Sequence, residues 1–146
     1  MRKKISHVIL TLCILLAFTL PCFANFQPRS DRWAWCGSSN TMGVWVDKDS
    51  IYERQIPGGD TMVYLWTLFY HNSPTEYIEK IQFTVDLRER NLGVQQYIRL
   101  DMNGNVTETI SPTNSPRDEI VPGSYSEGFY KIAKAYHEAY NRNDDI

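Results

Sequence analysis

The stretch Met62–Tyr70, MVYLWTLFY, constrains this chain more than any other. Its nine residues carry no charge and are rich in aromatic and β-branched side chains. They read as a β-strand; a helical membrane span needs about 20 apolar residues. A strand with one wet face alternates apolar and polar positions, and this one scarcely does. Val63, Leu65 and Phe69 share one side with Thr67, while Met62, Tyr64, Trp66, Leu68 and Tyr70 share the other. A strand apolar on both sides is expected at the centre of a sheet, with something packed against each face.

The start of the chain has the composition of an export leader. Arg2, Lys3 and Lys4 precede an apolar run from Val8 to Leu20, and Cys22-Phe23-Ala24 offers a signal-peptidase site before Asn25. Residues 1–24 are therefore expected to be a signal peptide and 25–146 a single domain with one core, exported to the periplasm, the cell surface or beyond the cell. Once the leader is cleaved, no transmembrane span is expected. The whole sequence has 15 Lys and Arg against 17 Asp and Glu, and losing the three leader cations brings the remainder to about −5. That balance disfavours nucleic acid and anionic lipid as main partners. Of Cys13, Cys22 and Cys36 only the last survives cleavage, so no disulfide can form within the mature chain.

In chain order, Asn25–Asp31 reads as a leading arm, Trp33–Gly37 as a strand and Ser38–Asn40 as a turn. Met42–Asp47 continues as a strand, Asp47–Ser50 as a second turn, and Pro57-Gly58-Gly59-Asp60 turns into the central strand. Tyr77–Arg88 alternates cleanly, with Ile81, Phe83, Val85 and Leu87 on one side. In Leu92–Asp101 the same alternation puts Val94, Ile98 and Leu100 inward and Tyr97 and Arg99 outward. Asn103-Gly104 signals a tight hairpin into Val106–Ile110, and Ser111–Pro122, with three prolines, reads as a loop. The period then changes. Ser124 and Glu127 form a capping box, and Tyr125, Phe129, Ile132, Ala133, Tyr136 and Tyr140 recur at helical spacing. The expected fold is α+β: an antiparallel meander of five to seven strands with one C-terminal amphipathic helix on one face.

Candidate chemistry is sparse. Cys36 with His71 or His137 would make a thiol nucleophile and base, but no local signature supports the pairing. A packed cysteine between Trp33, Trp35 and their neighbours is the simpler reading. Asp47-x-Asp49 and Asp101-x-Asn103-x-Asn105 faintly resemble calcium loops without the glycine and distal glutamate such loops need, and turns favour these residues anyway. No zinc spacing occurs, and no cofactor or catalytic residue is expected. What remains is the aromatic content. Tyrosine and tryptophan suit interfaces as well as cores, having an apolar body and a polar tip. Tyr64, Trp66, Tyr70 and Tyr97 are the outward-facing candidates for binding. One helix covers one face, and the hydrocarbon set Val63, Leu65 and Phe69 suits it better, leaving Tyr64, Trp66 and Tyr70 for a partner.

Three segments in order, Val44–Ile51 (VWVDKDSI), Val63–Tyr70 (VYLWTLFY) and Ile120–Lys131 (IVPGSYSEGFYK), resemble the surface-adhesin protein E-like domain of bacterial exported proteins. The resemblance spans most of residues 33 to 134. It implies a curved antiparallel sheet, a C-terminal helix tied across one face, self-association, and no catalytic residues; the family's named member is an adhesin for host proteins. Members of that family carry a cysteine in the third long strand and another in the final helix, linked to each other. The matching positions here are Val85 and Lys134, so packing alone must hold the helix. The expected function is a non-enzymatic exported binding module, an adhesin or envelope-associated protein, whose partner is a second copy (a homodimer) or a host or envelope protein. A small thiol enzyme built on Cys36 and a structural subunit of an envelope assembly are the alternatives.

Overall fold

The computed structural model describes residues 28–72, 74–113 and 117–143; the leader and its cleavage site lie outside them. Seven strands and one helix follow in order: β1 (Trp33–Ser38), β2 (Met42–Gln55), β3 (Thr61–His71), β4 (Tyr77–Asp86), β5 (Asn91–Leu100), β6 (Val106–Ile110), β7 (Arg117–Glu119) and α1 (Tyr125–Asn143). The sheet runs β1-β2-β3-β4-β5-β6, every pair antiparallel, and β7 joins the free edge of β5 beyond β6. This is the α+β meander expected, with β3 inside it. Short turns make each strand from β2 to β6 pair with the one just before it. Asn103-Gly104 does not form a two-residue hairpin. Asp101 closes a wider loop by accepting the backbone N–H groups of Asn103 and Asn105, and Gly104 takes φ +84° there.

Irregularities in pairing correct several sequence expectations. Asp47–Ser50 is not a turn, because β2 runs unbroken from Met42 to Gln55 and the surplus residues bulge between Asp47 and Tyr52. Ser50 pins the bulge. Its hydroxyl donates to Asp47 O at 2.7 Å and accepts the Trp66 N–H at 2.9 Å, so a side chain completes the ladder. A second bulge sits in β5, where Gln82 faces Gln96 but Phe83 faces Val94. The extra residue reverses the alternation, so Val94 lies on one face and Ile98 and Leu100 on the other. A third lies in β1 between Trp35 and Gly37. The Ser111–Pro122 segment is not wholly loop: β7 forms within it, and Ile120 enters the core.

The helix packs on the face bearing Val63, Leu65, Thr67 and Phe69, as the hydrocarbon character of that set predicts. The main core comprises Val44, Val46, Val63, Leu65, Phe83 and Val85 from the sheet, with Ile120, Phe129 and Ala133 closing over them. Phe129 stacks on Phe83 with centroids 5.4 Å apart and meets Phe69 edge-on at 6.2 Å. Gly128 brings the α1 backbone against Cys36, leaving 3.7 Å from a would-be side chain to Cys36 Cβ. The N-terminal cap is shifted from the expected box. Glu127 accepts the Gly123 N–H at 2.8 Å, while the Ser124 hydroxyl donates to Val121 O at 2.6 Å. Further along, Tyr136 and Tyr140 stack on each other, and Tyr140 is exposed.

Candidate binding face

Strand alternation decides what the other face of the sheet shows. Register pairs put Trp33, Asp47, Trp66, Gln82 and Gln96 in one row across it, and Trp35, Trp45, Leu68, Lys80 and Ile98 in the next. Tyr52 and Tyr64 pair in a third row, their rings parallel at 4.8 Å. All four tryptophans of the chain therefore stand on the face that α1 does not cover. Trp35 is the most open of them, at 55% exposure, with its ring edge-on to Trp45 at 4.8 Å. Gly43 makes room for this pair: a Cβ there would meet the Trp45 ring at 2.5 Å.

Part of the face shields itself. Leu68, Tyr70 and Ile78 form a small second cluster under Trp33, Trp45 and Leu100. Its polar members are held in place. Asp47 is only 2% exposed, and Arg32 donates to both carboxylate oxygens at 2.8 and 2.6 Å. The β2 bulge supplies a further donor, the Asp49 N–H at 3.3 Å. Three cations lie over rings of this face: Arg32 over Trp33 at 5.7 Å, Arg54 over Tyr64 at 5.7 Å and Lys80 over Trp66 at 5.5 Å.

Of the four binding residues named from sequence, Tyr64 and Trp66 stand here, both half-buried. Tyr70 shares the face but is 5% exposed, packed within the small cluster. Tyr97 does not belong to it. The β5 bulge turns Tyr97 opposite Ile81, on the helix side of the sheet. There its hydroxyl donates to Glu79 at 2.8 Å, beside His71 Nε2 at 2.9 Å and Arg99 Nη2 at 3.3 Å. Burial and the Glu79 carboxylate push the Tyr97 phenol up to about 12. Burial works against ionisation of Glu79, but its bonds to Tyr97, His71 and Arg99 outweigh that and hold it below the usual carboxylate range. The cluster is thus a carboxylate saturated with donors.

Sequence reasoning missed Trp33, Trp35, Trp45, Tyr52, Arg54 and Lys80. The signal existed in Trp33-x-Trp35, two rings pointing one way from a single strand, but fixing their face required the register with β2.

The thiol reading finds little support in its surroundings. Burial raises Cys36 to about 11, and its Sγ lies against Ala34 O at 3.9 Å. His71 engages Glu79, and His137 Nδ1 sits 2.9 Å from Glu53 Oε1, tying α1 to β2. A groove of about 340 Å³ opens beside that contact, lined by Glu53, Gln55, Thr61, His137, Tyr140 and Asn141. Among the described residues no helix is long and apolar enough to cross a membrane. No family model, curated protein or solved structure matches the chain.

Proposed function

We propose that this chain is an exported, non-enzymatic bacterial binding module whose open aromatic sheet face takes a protein partner, as an adhesin or an envelope-associated protein. One observation carries the reading: all four tryptophans stand on the face that the helix leaves uncovered. A fold built for stability alone would turn its tryptophans toward the main core, where the rings here are those of Phe83 and Phe129 with Phe69, Tyr125 and Tyr130 against them. Aromatic residues and arginine are the groups that dominate protein interfaces. The leader composition and the resemblance to the surface-adhesin protein E-like domain favour the same reading. The occupant is a second copy or a host or envelope protein.

Trp35→Ser is the probing variant, since Trp35 is exposed and contributes little to the core. Light scattering over a concentration series tests self-association, and immobilised mature protein challenged with envelope extract or host matrix tests a foreign partner. Association that Trp35→Ser abolishes, with the melting temperature unchanged, supports the proposal. Association indifferent to the substitution, or none by either protein, overturns it.

A further inference from the structure

The proposed partner can be specified further from the charges of the same face, an inference that rests on the reading above. We infer that the surface docking there is an extended acidic protein segment carrying carboxylates along its length. Two carboxylates of the face are already satisfied. Asp47 is held by Arg32, and Asp86 by Arg117 at 3.2 Å together with the N–H groups of Arg88 and Glu89. Arg54 and Lys80 differ. Each lies over an aromatic ring, and among the described residues neither meets a carboxylate.

An occupant that dries Tyr64 and Trp66 must also dry the cations resting on them. A charge taken out of water without a counter-charge is strongly unfavourable, so the occupant has to supply anions. The exposed carboxylate of Glu119 stands on the same face, but opposite Asn91 at the β7 end, three strands beyond the β3 rings that Arg54 and Lys80 cover by way of β4 and β5, so the face does not supply their counter-charge itself. The chain as a whole is acidic, with a formal charge of −2, so this cationic aromatic face is a local exception rather than a general property. Tyr64 and Trp66 stand two residues apart on β3, roughly 7 Å, so the apolar residues of an extended segment can lie on both rings. Arg54, on β2, stands opposite Met62 and Lys80, on β4, opposite Leu68, so an extended segment that meets both crosses β3 and needs acids along its length.

Two synthetic nonapeptides test this, one alternating glutamate with tyrosine and one alternating lysine with tyrosine, titrated against mature protein by tryptophan fluorescence. The glutamate peptide is expected to bind, and the lysine peptide not. Its affinity should fall about tenfold or more in Arg54→Glu and in Lys80→Glu, and again on raising the salt from about 50 to about 500 mM. Should a reversal variant fail to fold, Arg54→Gln and Lys80→Gln replace it with a smaller loss in the same direction. Equal binding of both peptides, binding untouched by the charge variants, or binding of neither overturns the inference. Failure of the module reading looks different: there Trp35→Ser has no effect on any association. A partner lost in Trp35→Ser but indifferent to Arg54→Glu and to salt leaves the face a binding surface and removes only its acidic preference.

Discussion

Phe129→Ala is the sharpest test of how the fold is held, since no disulfide links α1 to the sheet. Phe129 is 2% exposed and fills the space between the rings of Phe69 and Phe83. Among the described side chains of α1 only Phe129 and Ala133 are fully enclosed, and alanine has nothing further to give. Truncating an enclosed phenylalanine costs about 3–5 kcal/mol in lost transfer energy and cavity. Within that, each of the two ring pairs accounts for about 0.5–1.5 kcal/mol. Against a total stability of about 5–15 kcal/mol, the variant should remain folded but melt roughly 10–20 °C lower. Urea and heat melts followed by circular dichroism provide the measurement. Tyr140→Ala is the control: at 51% exposure it should stay within about 0.5 kcal/mol of the parent. A lowered urea slope in Phe129→Ala would mean that the helix has come off while the sheet persists. If Phe129→Ala costs less than about 1 kcal/mol, or no more than Tyr140→Ala, the helix is not anchored by this ring and the account of the core is wrong.

Arg32→Met strands the enclosed carboxylate of Asp47. Urea melts should show a lower midpoint, moderated because Arg32 itself is half exposed, and Asp47→Asn in the same chain should recover part of the loss. Tyr97 keeps its proton to about 12 when folded, above the ordinary phenol value of about 10. Its contribution is therefore complete below pH 10 and drains away between the two values; Tyr97→Phe should flatten that part of the pH–melting curve, and an unchanged curve would refute the Glu79 contact. Glu79 has the opposite sign: its folded value lies below the ordinary one, so its contribution stands at neutral pH and is lost as acid carries the pH down through that lowered value. Glu79→Gln should remove this acid limb from the melting profile. Cys36, raised to about 11, should hold roughly one thiolate in a thousand at pH 8, so iodoacetamide should label it slowly in the native protein and at once in urea. Rapid native labelling would revive the thiol reading.

What the sequence revealed, and what it hid, follows from period and parity. Alternation in Tyr77–Arg88 and the two-sided character of Met62–Tyr70 exposed the meander, the central strand and the face for the helix, because those segments pair without interruption between Met62 and Asp86. Tyr97 was misplaced because parity is a running count, and the bulge opposite Gln82 and Phe83 shifts it by one without leaving any turn residue as a sign. Asp47–Ser50 misled in the other direction. Its composition suits a turn, yet the Ser50 hydroxyl takes the place of a backbone group and lets β2 continue. The aromatic face was half legible: Tyr64 and Trp66 sit on one strand and declare themselves, whereas Trp33, Trp35 and Trp45 join them only through long-range register.

The order of elements along the chain also sets an order in time. Each strand from β2 to β6 finds its partner in the segment made just before it, so the sheet can zip up hairpin by hairpin with little loop to close. The piece that shields it comes last. Until Phe129 and Ala133 arrive, Val44, Val46, Val63, Leu65 and Val85 form a finished apolar surface with nothing over it. A nascent chain halted at Ser124 would be a sheet greasy on one side and aromatic on the other, ready to stack on its neighbours. The helix is thus the last element to be made and the step that closes the apolar face, leaving only the aromatic one open.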